Sequence, residues 1–303
     1  MMPALMDAAP PRCLTLRQGP HRLRVAPSAG GRILDWTSEL PEGPRDWLAP
    51  IQVQEWLPHE WPKGGLFPLA PFSNRIRDAR MRWTGATIDI APLTGQAHAL
   101  HGQAQRMIWD VLDATDGSAT LGARHANGED GWPWTWSLRQ IIRLADDGQL
   151  DIELALTNED TQPMPAGLGL HPYFTADRVR ASAGLDWAHE QELALFPRPN
   201  RQDRWLRTNG TWTHYLSEWA GSADIGWPDG PGLALRTRGP LDHLVLHCNA
   251  GCYLCVEPVT HVCNAVNLAA HGIPGTGLRT LAPDETLTVG MTLRIQSEAA
   301  RAV

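Results

Sequence analysis

"IRLADDGQLDIELAL" (residues 142–156) holds two alternating apolar runs on either side of Asp146-Asp147-Gly148. Alternation with a period of two is the pattern of a half-buried strand, and an Asp-Gly step between two such runs reads as a hairpin turn. Outward from it, comparable segments bounded by Gly, Pro, Asn or Asp recur: "HRLRVAP" (21–27), "GRILDW" (31–36), "ATIDI" (86–90), "SLRQIIRLA" (137–145), "GLALRTR" (232–238), "HLVLHC" (243–248), "CYLCVEP" (252–258) and "ETLTVGMTLRI" (285–295). No segment sustains a helical stripe over three turns. Many short strands without interspersed helices predict an all-β fold, a sandwich or barrel of antiparallel strands.

The composition agrees: 28 glycines and 25 prolines in 303 residues favour turns over long helices. No Pro- or Ser-rich linker divides the chain and no repeat of 20 to 50 residues is evident, so residues 1–303 read as one domain, with 1–12 and 297–303 expected to fray. A net charge of −7 and the lack of any Lys/Arg run argue against a nucleic-acid partner. No stretch approaches the roughly 20 apolar residues of a membrane span, and "MMPALMDAAPPRC" has no signal-peptide pattern, so the expected location is cytoplasmic. Five cysteines, four of them between Cys248 and Cys263, are not spaced as a disulfide framework and are expected to be reduced thiols.

Several stretches carry candidate chemistry. In "GLGLHPYF" (167–174), Pro172 removes a ladder donor, which places His171 at an expected strand end with its direction restricted. "PFSNRIRDAR" (71–80) sets Asn74 and Arg75 after a turn, where a guanidinium is either a fork for two adjacent hydroxyls or a solvated surface cation. "HALHG" (98–102) puts His98 and His101 beside a turn-forming glycine. "PLDHLVLH" (240–247) places Asp242 on the face of Leu244 and Leu246, where a carboxylate needs partners. In "CVEPVTHVCNAVN" (255–267), Glu257 ends an alternating strand and is fixed by Pro258, either as a lone buried acid or as a working one. A zinc site among His247, Cys248, Cys252, Cys255, His261 and Cys263 is disfavoured, because residues three apart on a strand point to opposite faces; no metal is expected. "HGIPGTG" (271–277) lacks the glycine order of a dinucleotide fingerprint. The 14 tryptophans, against 4 Phe and 3 Tyr, suit either stacking on sugar faces or core filling.

Together, "PFSNRIRDARMRWTG", "HALHG", "GLGLHPYF", "PLDHLVLH" and "CVEPVTHVCNAVN" resemble the aldose 1-epimerase (galactose mutarotase) family in order and approximate spacing, from about residue 13 to about 295. The resemblance implies a large antiparallel β-sandwich of the galactose mutarotase-like type, with a sugar on an open concave face. It also implies a cofactor-independent isomerase that interconverts the α- and β-anomers of a free aldose. On matching positions, Glu257 is similar to the general base and His171 to the general acid; Arg75, His101 and Asp242 resemble the sugar-binding residues, with Asn74 beside them. Asp242 is expected to help hold His171 charged. "EDGWPWTW" (129–136) resembles a piece that borders the sugar, so Trp132, Trp134 and Trp136 either line the site or pack. Two departures, Gln103 after Gly102 and Leu244-Val245 where an aromatic is common, leave galactose preference unassigned. Other readings are a non-catalytic sugar-binding protein on the same scaffold and a hexose 6-phosphate mutarotase, for which Arg75, Arg77 and Lys63 are the candidate cations. The oligomeric state is not assigned.

Overall fold

In the computed structural model of the chain, residues 13–51, 62–92, 95–200 and 203–296 are described; the termini expected to fray lie outside them. Among the described residues, sixteen of the twenty-four strands build most of the main sheet network. The first eight are β1 (Leu14–Gln18), β2 (His21–Ala26), β3 (Arg32–Leu40), β4 (Leu66–Leu69), β5 (Asp110–Ala114), β6 (Ser118–His125), β7 (Trp136–Leu144) and β8 (Leu150–Asn158). The second eight are β9 (Gly169–Phe174), β10 (Arg178–Glu190), β11 (Leu193–Pro199), β12 (Trp212–Gly226), β13 (Gly232–Arg238), β14 (His243–Asn249), β15 (Tyr253–Val259) and β16 (Thr286–Gln296). Short two- to four-residue strands and a six-residue helix, α1 (Ala265–Ala270), fill the connections.

The hairpin read from residues 142–156 is present. β7 and β8 pair antiparallel with Leu144 opposite Leu150, and Gly148, at φ 79°, donates its N–H to the Ala145 carbonyl. A positive φ costs glycine nothing, so this residue lets the chain reverse within five positions. Alternate residues of β7 and β8 are buried, as the period of two requires. One part of the hydrogen-bonded network runs β5–β6–β7–β8–β16–β13 and the other β4–β9–β15–β14–β12–β10–β11, all antiparallel. β12 belongs to both. Its first half pairs with β14 and its second with β13, with Glu218 (φ 55°) and Gly221 (φ 74°) between them.

β10 and β12, at 13 and 15 residues the longest strands, are not among the segments the sequence pattern singles out. "ASAG" and "WAGSA" within them dilute the apolar alternation with small residues.

Side-chain parity explains where the core lies. Leu244, Leu246, Leu254 and Val256 join Leu121, Leu138, Ile142, Leu154 and Leu156 in the main apolar core between the two parts. Val245, Cys255, Tyr173 and Tyr215, on the alternate positions, point to the opposite face and form a second cluster with Phe67 and Trp187. Trp132, Trp134 and Trp136 are buried in the main core, so they pack rather than border an open surface.

Candidate active site

The register of four strands lays out the floor of a cleft. Gly169 pairs with Val259 and Tyr173 with Cys255, so midway between them His171 of β9 stands opposite Glu257 of β15. His171 also pairs with Phe67, Glu257 with Val245, and Val245 with Tyr215. These five side chains therefore form one row across the sheet, on the face away from the main core. A second row, Tyr173–Cys255–His247–Thr213, lies beside it. Both catalytic candidates sit within strands and not at strand ends. β9 continues through Pro172 to Phe174, and β15 through Pro258 to Val259, because each proline costs one ladder bond without ending the pairing on the other side.

His171 Nε2 lies 3.4 Å from Glu257 Oε1, with His171 5% and Glu257 3% exposed. The imidazole is sandwiched between Phe67 (centroids 4.7 Å apart) and Tyr173 (4.6 Å), and the edge of His101 meets it at 5.0 Å. Such a stack leaves the ring little rotational freedom and fixes its nitrogen on the carboxylate.

His101, at φ 59°, exchanges two bonds with Asn74. Its backbone N–H donates to the Asn74 carbonyl, and its Nδ1 accepts the Asn74 N–H at 3.1 Å, which leaves Nε2 to carry the proton of the neutral ring. The Asn74 Oδ1 accepts the N–H of Arg75 at 2.9 Å. The next residue, Gly102, is at φ 67°, and a Cβ there would stand 2.0 Å from the Ala70 carbonyl oxygen, so only glycine allows this approach.

Around the rows, a cleft of about 100 Å³ is lined by Lys63, Asn74, Arg75, His101, Glu192 and Tyr253, together with every member of the two rows except Phe67 and Cys255. Of the sequence-derived candidates, Asn74, Arg75, His101, His171 and Glu257 meet here. Asp242 does not. It precedes β14, its side chain is 62% exposed, and it pairs with Arg279 at 3.7 Å. Its parity matches Leu244 and Leu246, which face the core, whereas the cleft is reached from the odd positions Val245 and His247. The carboxylate beside His171 is therefore Glu257 itself.

Burial drives both members of that pair toward their neutral forms. Glu257 is pushed up to about 8, opposed by the charges of Arg75 and Lys63; His171 is pushed well below the usual imidazole range by burial and then by His101 and Arg32. This reverses the expectation of an ionised glutamate beside a charged histidine. Near neutrality the pair holds one proton. His101 is also driven down, by burial first and Arg75 second.

Glu192 and Thr213 carry no sequence signal, because they reach the cleft from a hairpin tip and a distant strand. His247 could have been found from the parity of β14. Arg77 is exposed on the turn after Ile76 and does not join Arg75 in the cleft. Of the crowded cysteines and histidines, Cys255 and His247 stay adjacent in the second row, whereas Cys248 faces the main core, Cys252 is exposed, and Cys263 donates to the Glu192 carbonyl. Among the described residues the one set with metal-ligand geometry is His171, Cys255 and Glu257, whose ligand atoms lie within 4.8 Å of one another. Burial pushes the Cys255 thiol well above its ordinary range, so in the metal-free fold it is a neutral thiol.

The antiparallel β fold matches that of galactose mutarotase-like structures, and one of its sheet faces carries the buried Glu257–His171 pair. The aldose 1-epimerase family model matches residues 12–294, and the chain belongs to that family. It is 29% identical over 255 residues to the uncharacterized protein YphB of Escherichia coli (strain K12), covering 76% of this chain and 83% of that one. It is 26% identical over 180 residues to an aldose 1-epimerase of the same organism, covering 58% of this chain and 51% of that one. A crystal structure of a putative aldose 1-epimerase from Escherichia coli K12 superposes with a TM-score of 0.81 at 25% identity, covering 94% of this chain and 99% of that one. No helix among the described residues is long and apolar enough to cross a membrane.

Proposed function

We propose that this protein is an aldose 1-epimerase that interconverts the α- and β-anomers of a free, neutral aldose in the cytoplasm. The observation that carries the reading is the His171–Glu257 pair, 3.4 Å apart on the floor of a cleft that also holds Arg75, Asn74 and His101.

Opening a pyranose requires a base to take the proton of the anomeric hydroxyl and an acid to protonate the ring oxygen. Glu257 serves as base and His171 as acid. Opening moves one proton from His171 to the ring oxygen and one from the anomeric hydroxyl to Glu257, so the pair goes from carboxylate and imidazolium to carboxylic acid and imidazole. After rotation about the first carbon–carbon bond, reclosure returns both protons. The total number of protons on the pair is constant throughout, and a proton shift between its members interconverts the two forms. Burial favours the neutral distribution, the one that accompanies the open-chain aldehyde. Each positioned acid or base contributes about 10²- to 10⁴-fold. Arg75 and the Nε2–H of His101 supply donors for ring hydroxyls.

The test is polarimetric or NMR relaxation of freshly dissolved galactose, glucose, xylose, arabinose and fucose anomers. At least one should equilibrate faster with catalytic amounts of protein than in buffer. If all five relax at the buffer rate, the reading is wrong.

A further inference from the structure

Glu192 stands out among the cleft residues for the way it is held. β10 and β11 are joined by a two-residue loop, Gln191-Glu192, closed by the Glu190–Leu193 pair. Both loop residues have positive φ, 48° and 64°. Hairpin turns of this kind normally use Gly, Asn or Asp, and other residues persist there only when their surroundings fix them. Here two bonds do so: the Glu192 carbonyl accepts the Tyr215 hydroxyl at 3.0 Å and the Cys263 thiol at 3.4 Å. The backbone is clamped, while the side chain, 66% exposed, reaches Arg75 Nη2 at 2.5 Å.

We propose that Glu192 makes the cleft selective for neutral over anionic sugars by pairing with Arg75 at the substrate. This inference rests on the mutarotase reading and deepens it. A hydroxyl can accept from the Arg75 guanidinium and donate to the Glu192 carboxylate, so a neutral diol inserts into the pair and satisfies both partners. A sugar carboxylate accepts but cannot donate. To reach Arg75 it must meet the like charge of Glu192, which is unfavourable in a partly enclosed cleft. Without Glu192, the cations Arg75 and Lys63 would face the His171–Glu257 pair, which holds one proton and has no net charge. The cleft would then be cationic.

The experiment compares wild type, Glu192→Gln and Glu192→Asp. Galactose and glucose are the neutral probes, and galacturonate and glucuronate the anionic ones. Calorimetry gives Kd, and polarimetry gives kcat and KM. For Glu192→Gln, neutral-sugar Kd and KM should rise about 10-fold with kcat within a few-fold, while uronate binding tightens; the neutral-to-uronate selectivity ratio should fall by about 30-fold or more. Glu192→Asp, which keeps the charge, should keep most of the wild-type ratio. Loss of Arg75 positioning alone would weaken both sugar classes together, so an unchanged ratio in Glu192→Gln overturns the proposal whatever happens to absolute affinity. If wild type binds sugars without accelerating mutarotation, the catalytic reading fails and the Kd ratio still decides the role of Glu192. A wild type that binds neither class overturns both.

Discussion

Replacing Glu257 by Gln should remove a pH dependence of stability that the buried carboxyl imposes. In the folded protein this group keeps its proton up to about pH 8, whereas its ordinary value is 4.5. Between these values the native state binds a proton that the unfolded chain has released. The resulting stabilisation is complete below pH 4.5 and is lost as pH rises through about 8, at up to about 1.4 kcal/mol per pH unit. Over the whole interval this amounts to about 5 kcal/mol. Gln is neutral throughout and nearly isosteric, so the variant lacks this decline. His171 acts in the opposite sense. Its depressed value adds a contribution that is present above pH 6.5 and lost as pH falls, but burial, its main cause, persists in both proteins. Urea unfolding followed by tryptophan fluorescence from pH 5 to pH 9 provides the measurement. The stability of the variant relative to wild type should rise by several kcal/mol across that range. A gap that stays constant would show that Glu257 ionises in the folded state as it does in the unfolded chain, and the account of the site's protonation would fall. In the same variant, catalysed mutarotation should drop by about 10²- to 10⁴-fold.

Three further substitutions separate the parts of the site. His171→Asn should cost about 10²- to 10⁴-fold in relaxation rate at unchanged circular dichroism, and a variant that relaxes sugar at the wild-type rate would remove His171 from the acid role. Asp242→Asn should leave KM and kcat within about two-fold, since its exposed pairing with Arg279 is of a kind worth about 0–1 kcal/mol; a large loss of activity would return it to the site. Gly102→Ala should destabilise by about 2–5 kcal/mol, combining a left-handed backbone with a clash against Ala70, and should weaken sugar binding through His101; an unaltered melting temperature would contradict the close approach.

The all-β class was legible because the signals for it are local. Alternation in residues 136–144 and 150–158 and the glycine at 148 act within a few positions, and the structure follows them closely. The residue types of the site were legible too, since an acid and a histidine beside prolines in apolar runs stand out against their neighbours. The prolines misled only about strand ends. An amide missing on one side of a strand does not prevent pairing on the other, and that depends on neighbours far away in the chain.

The sequence by itself determined an antiparallel β-protein with an acid, an imidazole and a guanidinium among its strands. Only the tertiary structure decided which of them meet. Register set His171 opposite Glu257, parity sent Asp242 outward, and a clamped hairpin tip carried Glu192 to Arg75. Such pairings come from hydrogen-bond ladders between strands dozens of residues apart, where a shift by one position turns a side chain to the other face. The same burial then moved the proton preference from the histidine to the glutamate, because desolvation depends on what the finished fold packs around a group.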